Sequence, residues 1–358
     1  MDSKRIGYID AMRGLTMVLV VYSHVCSYCL GNPSAGFNGV LFLFRLPCFF
    51  FISGWLFFKP DRVWDCPTVR QVVARKFMVQ IVPTAIFLVL LVVLHDGQPP
   101  AVVFSRLGAT KGGYWFTFAL FEFFILYILT VLPFRRRPND GMQFLAALTI
   151  SVAAFCYDAY YHRLLSLSLP SPTPSAFPTL HPALFRILGF LSFMTWRYYL
   201  FFYIGIWVRR HFDTFVAWTD KTAVIAVLCG TFAAVALMPR SGSVVREYMA
   251  FALGGVSGMT LVFTLFRRLS PHIPHFPPLS FLGRRTLDVY LLHYFFLPRF
   301  LLPYGQRLCG HGSVLSESVA AVLLSLLVTA VCLLVSAIIR LSPFLGHYLF
   351  GANYEKRP

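Results

Sequence analysis

The sequence predicts an all-α integral membrane protein, a single domain over residues 1–358. It reads as a bundle of about ten transmembrane helices with both termini in the cytoplasm. Three observations predict this. Hydrophobic residues make up 58% of the chain and charged residues only 13%, against roughly 25% charged in a soluble domain. The apolar residues come in runs of about 18–25, the length that crosses roughly 30 Å of hydrocarbon. The basic residues fall between these runs and favour alternate connections.

The expected spans are 9–30, 37–58, 70–95, 114–133, 143–161, 187–208, 222–239, 246–266, 281–302 and 315–341. They must be helices, because a lone backbone in lipid has no other way to pair its N–H and C=O groups. The alternating pattern of an outer-membrane barrel is absent. The inner connections hold about 20 basic residues, among them Lys4, Arg5, Lys59, Arg62, Arg209, Arg210 and Arg340; the outer ones hold about 8. This asymmetry supports an even span count with both termini in the cytoplasm, and the chain is expected to be a multi-pass protein of the inner, or plasma, membrane. The first span is not a cleaved signal, since Asp10, Arg13 and His24 interrupt it and further spans follow.

Two connections carry clustered prolines. The outer segment 162–186 contains Pro170, Pro172, Pro174, Pro178 and Pro182, and the inner segment 270–280 contains Pro271, Pro274, Pro277 and Pro278. Both are expected to be non-helical. In the eighth span, Gly254 and Gly258 form a small-x-x-x-small pair that allows close helix packing. Cys26 and Cys29 form a C-x-x-C without a surrounding βαβ pattern and read as small packing residues. The net charge of +17 is spread over the loops and forms no nucleic-acid patch.

Ionisable residues inside spans are functional candidates. The first span carries Asp10, Arg13 and His24, with Asp10 and Arg13 on one helix face. Arg13 lies near the inner boundary, where snorkelling is a second reading. His24 lies about 22 Å deep, too far to snorkel. The ninth span enters from the same side and carries His293 about 18 Å deep. Two histidines at similar depth on parallel helices suggest a shared polar cavity. The bland reading of each is a buried histidine bonded to a carbonyl. Asp288 is expected to pair with Arg284, one turn earlier. Arg45, Glu122 and Arg197 need partners, and an arginine is the expected partner of Glu122. Trp115, Tyr114 and Trp196 lie where aromatic side chains anchor at the membrane surface. There is no G-x-S-x-G elbow or Walker loop. H-E-x-x-H and metal-ligand spacing are also absent, and no metal is expected.

Four stretches resemble the acyltransferase-3 group of integral membrane acyltransferases. They are Arg13-Gly14 running on to His24; Leu46-Pro47 through Ser53-Gly54; Tyr114-Trp115-Phe116; and Leu282-Gly283 through Thr286, Tyr290 and His293. The resemblance covers nearly the whole chain. It implies transfer of an acyl group, usually acetyl, from cytoplasmic acyl-coenzyme A to a hydroxyl of a carbohydrate or glycolipid at the lipid bilayer. His24 matches the group's essential histidine and Arg13 its paired arginine. Two departures stand out: Arg45 occupies a position that is histidine in many relatives, and the basic pair before the third-span proline is reduced to Lys76, with Val79 at its second position.

On this reading His24 is the general base, because imidazole titrates near neutrality. An acetyl-His24 intermediate is the variant. Arg13 would hold a phosphate or amide of the donor, acetyl-coenzyme A, or orient the histidine through Asp10. Arg70, Arg75 and Lys76 would attract the donor's phosphates, although inner span ends are basic by topology alone. His293 would orient the acceptor or form a second polar wall. Asp10, Arg45, Glu122 and Trp115 are the candidate substrate-binding residues. The rival readings are a transporter or flippase for a lipid-linked glycan and a scaffolding membrane protein.

Overall fold

The computed structural model describes residues 6–109, 111–134, 139–167, 191–238, 243–271 and 277–352. Among these the elements are helical, with no strand. Lys4, Arg5, residues 187–190 of the sixth expected span, Pro274 and the proline run from Pro170 to Pro182 lie outside the described residues.

The chain divides into two compact units. The first comprises Met1–Ile52, His211–Pro239 and Ala250–Pro358; the second comprises Ser53–Arg210 and Arg240–Met249. In chain order the helices are α1 (Gly7–Tyr28), α2 (Asn38–Phe57), α3 (Cys66–His95), α4 (Ala101–Ala109), α5 (Trp115–Val131), α6 (Asp140–Leu167), α7 (Tyr199–Arg210), α8 (Phe212–Thr219), α9 (Thr222–Ala236), α10 (Val244–Leu269), α11 (Pro277–Arg284), α12 (Thr286–Phe296), α13 (Leu302–His311), α14 (Val314–Ile339) and α15 (Pro343–Phe350). Among the described residues, six helices are long and apolar enough to cross a membrane: α1, α2, α3, α6 up to Tyr160, α10 and α14. The pair α8 and α9, bent by 81°, would make a seventh, and α5 is a shorter apolar helix.

The surface of α14 shows which solvent the chain is built for. Leu315, Leu323, Leu327, Leu334 and Ile338 point outward, while Ser318, Ser325, Thr329, Cys332 and Ser336 are buried. A helix in water does the reverse. With lipid outside, small polar residues face neighbouring helices and large apolar ones face the hydrocarbon. The inward hydroxyls of Ser318 and Ser325 donate to Val314 and Ala321 carbonyls one turn back, so neither is left unpaired. Ser313 begins the helix by accepting from Ser316 N–H at 3.2 Å, with a reciprocal bond to Ser316 Oγ, a cap that contributes about 1 kcal/mol.

Several boundaries depart from expectation. The segment 281–302 is not one helix. Arg285 (φ −114°, ψ 15°) breaks it, and α12 ends at Leu297 (ψ 120°). Pro298 follows, and proline drives the residue before it out of the helical region. The segment 270–280 is not wholly extended, because Pro277 and Pro278 open α11. Proline is well placed in a first turn, where its missing N–H is not needed. Helix α6 runs to Leu167, into the stretch expected to be extended. Within the described part of the sixth span, a tight turn over Phe193–Tyr198 follows Ser192 at φ 53° and leads into regular helix at Tyr199. Helix α3 contains two wider turns, at Phe77–Ile81 and Leu90–His95. The first directly precedes Pro83, where the ring crowds the carbonyl four residues back.

Each unit holds close backbone packing at glycines. In the first, a β-carbon on Gly14 would lie 2.1 Å from the Leu279 carbonyl oxygen, and one on Gly283 would lie 1.8 Å from that of Asp10. Only glycine lets α1 and α11 approach this closely. The Ser280 hydroxyl adds a bond to Gly7 O at 3.1 Å. Gly258 of α10 abuts the Phe44 and Phe232 side chains, and Gly254 faces Val235 and Leu43, so the small-residue pair packs as expected. In the second unit, Gly54 sits against the Phe202 carbonyl at 1.9 Å by the same measure. Cys26 and Cys29 are buried free thiols.

Candidate active site

The contact between α1 and α11 at Gly14 and Gly283 sets the register of the two segments that carry the histidines. From there α1 runs on to His24, and after the break at Arg285 α12 runs on to His293. The two imidazole rings meet in the first unit, 5.0 Å between centroids at 38°. Tyr294 closes the group, with its ring 5.0 Å from His24 and its hydroxyl 3.3 Å from His24 Nε2. Tyr28, one turn beyond His24, stacks on the imidazole at 5.9 Å and 25°. The Arg299 guanidinium lies 5.2 Å over the Tyr28 ring.

His293 is fully buried. Its Nδ1 lies 2.7 Å from Tyr290 O and 3.2 Å from Val289 O. A carbonyl only accepts, so Nδ1 carries the proton and the lone pair of the neutral ring sits on Nε2. That Nε2 is buried with no hydrogen-bond partner among the described residues. The local backbone therefore fixes the tautomer of His293, whereas a tyrosine from a neighbouring helix holds one nitrogen of His24.

The other sequence candidates divide between the units. Asp10 is buried on α1 beside Gly283. Arg13, half-buried, lies eleven residues before His24 on the same helix, about 16 Å of axial rise. Asp10 is farther still. Both lie nearer the start of α1 than His24 does. Arg45 is buried; its Nη1 donates to Asn38 Oδ1 at 2.6 Å, and its guanidinium lies 5.1 Å over Phe42. Asn38 also donates to Pro33 O at 2.6 Å, so the connection after α1 is tied to the start of α2. The Gly36 N–H, at φ 57°, donates to Glu317 on α14 at 2.7 Å.

Arg70, Arg75, Lys76, Trp115 and Glu122 belong to the second unit. Arg70 and Arg75 are exposed at the start of α3. Lys76 instead lies over aromatic rings, its Nζ 4.2 Å from the Phe124 centroid and 5.6 Å from that of Phe57. Asp65 caps this helix through Thr68 N at 2.9 Å, and the same hydrogen bonding holds its carboxyl below the usual range. Trp115 stacks with Tyr198 at 6.1 Å and 27°. Glu122 accepts from Trp196 Nε1 at 2.7 Å, so a tryptophan takes the place of the expected arginine. The same Trp196 N–H lies 3.1 Å from Leu191 O. Arg197 pairs with Asp158.

Asp288 does not pair with Arg284. It accepts from Arg340 Nε and Nη2 at 2.7 and 2.8 Å and from the Ser336 hydroxyl, with Arg285 3.6 Å away. The break at Arg285 is the reason, because the i−4 geometry needs one continuous helix. Three participants escaped the sequence reading. Tyr294 directly follows His293 and carried no charge to draw notice. Asn38 stands seven residues before Arg45, two turns on one face, and that spacing is a signal the sequence does hold. Glu317 meets Gly36 across 281 residues and left no local signal.

Lipid-facing helices define a multi-pass membrane protein, and its first unit brings His24 and His293 together. A family model described as an acyltransferase domain, of the acyltransferase-3 group, matches residues 6–340, and the chain belongs to that family. No curated protein and no solved structure matches it. The protein is a membrane acyltransferase.

Proposed function

We propose that the protein moves an acyl group, in our reading acetyl, from cytoplasmic acyl-coenzyme A to a hydroxyl of a cell-surface or envelope carbohydrate, in the inner membrane. The observation that carries this is the placement of His24 beside His293 in a chain of this family. A thioester is already activated, so the transfer needs a general base for the hydroxyl and stabilisation of the developing oxyanion. His24 supplies the base. In the tautomer that donates Nε2–H to the Tyr294 oxygen, Nδ1 keeps the lone pair that reacts. In direct transfer His24 takes the hydroxyl proton; in the stepwise variant it carries the acyl group. Arg70 and Arg75, exposed on α3, suit attraction of the donor's phosphates. Ten crossings with both termini cytoplasmic complete the proposal.

The test is transfer of label from radiolabelled acetyl-coenzyme A to crude cell-envelope glycan by detergent-purified protein. Wild type is expected to transfer, and His24→Ala to lose transfer with folding intact. Retained transfer in the variant overturns the assignment of His24. No transfer and no coenzyme A release by folded wild type moves the weight to a transport role.

A further inference from the structure

His293 carries a group that transfer by His24 alone leaves unused. A histidine kept for packing satisfies both nitrogens or turns one to solvent. Here Nδ1–H is spent on the Tyr290 and Val289 carbonyls, and Nε2 is buried without a donor among the described residues. The backbone thus presents one bare lone pair, on a ring that cannot change tautomer without losing its bonds. The centroid of that ring lies 5.0 Å from the centroid of the imidazole expected to react. If His24 were the base for direct transfer, this second lone pair would have no task. If His24 carries the acyl group, its basicity is lost when the hydroxyl attacks, and a second base is required.

We propose that His293 is that second base, which receives the proton of the acceptor hydroxyl at Nε2 while His24 holds the acyl group. The proposal rests on the acyl-transfer reading above. In the first half-reaction the His24 lone pair attacks the thioester carbonyl. The C–N bond forms and the C–S bond breaks. The thiolate leaves with the electron pair and takes the proton shed by the acylated imidazolium. In the second, the hydroxyl oxygen attacks the acyl carbon. The C–O bond forms, the C–N bond returns its electron pair to His24, and the hydroxyl proton moves to His293 Nε2. That proton then passes to the leaving His24 ring, so both histidines end neutral and the products are the ester and the free thiol. Tyr294, bonded to His24 Nε2, positions the ring through both steps.

The experiment measures coenzyme A release and protein-bound label in rapid-quench single turnovers of the purified full chain with radiolabelled acetyl-coenzyme A, with and without crude envelope glycan. Two variants accompany wild type and His24→Ala. His293→Asn keeps a donor toward the Tyr290 carbonyl and removes Nε2; His293→Gln keeps an acceptor oxygen without basicity. Without glycan, wild type and both His293 variants are expected to release coenzyme A in a burst of about one equivalent, and His24→Ala to give none. With glycan, the His293 variants are expected to transfer at least about 100-fold more slowly than wild type. The burst itself shows that a variant is folded. Unchanged transfer in either His293 variant overturns the proposal. So does loss of the burst in both, which would place His293 in the first step or in the scaffold. Release by wild type only when glycan is present overturns it too, in favour of direct transfer, and leaves the acyl-transfer reading standing. Absence of release under every condition removes that reading and the proposal together.

Discussion

At the scale of single residues, the site depends on hydrogen bonds that only neighbouring helices supply. His24 is an α1 side chain, but its Nε2 is held by Tyr294 of α12. Removing that hydroxyl costs about one hydrogen bond, roughly 1 kcal/mol, and so about tenfold or less in rate if the bond is made in the transition state. Tyr294→Phe is therefore expected to lower turnover by up to about tenfold with little change in thermal stability. An unchanged rate would show that the tyrosine does not position the histidine. His24 was legible in the sequence because an ionisable group deep in an apolar run demands a reason. Tyr294 was not, since a tyrosine among aromatics looks like any other. Glu122 was legible as a residue in need of a partner, but not the partner, because Trp196 lies 74 positions away.

At the scale of elements, helix contacts are set by small residues and ends by local chemistry. Gly283 touches the backbone of α1 rather than a flexible side chain. Gly283→Ala must push α1 and α11 apart, at about 3 kcal/mol, the upper end for overpacking. Its unfolding temperature in detergent should fall, and transfer activity should fall with it through the displaced histidines. Normal stability in that variant would refute the packing account.

The bend between α8 and α9 offers a pH-dependent case. There Asp220 pairs with Arg267, and with Arg268 Nε at 3.4 Å, and the hydrogen bond from Arg267 is the main cause holding its carboxyl below the usual value. A depressed carboxylate contributes stability above its ordinary titration range and loses it as pH falls through the folded value. Asp220→Asn is expected to lower the unfolding temperature at pH 7, and the difference from wild type should shrink as the medium is acidified through that range. A difference that does not change with pH would exclude the ion pair as its source.

At the scale of the whole molecule, orientation follows from where the basic residues fall. With the N-terminus inside, the connection between α1 and α2 faces outward, and Ser34 is exposed within it. In a cysteine-free background, Ser34→Cys should react with a membrane-impermeant maleimide in intact cells. Reaction only after the membrane is opened would invert the topology.

Composition and hydropathy determined by themselves that the chain is helical and lipid-embedded, because hydrocarbon leaves the backbone no other choice. They also singled out His24 and His293, because burying an ionisable group is costly enough to mark it. The tertiary structure alone decided which residues meet. It broke the ninth span at Arg285, gave Asp288 to Arg340 instead of Arg284, and put the two imidazoles side by side. The meeting of the imidazoles depends on backbone contacts at Gly14 and Gly283, 269 positions apart in the chain. Such contacts are van der Waals fits between distant segments, and no local pattern of apolar and polar residues encodes their register.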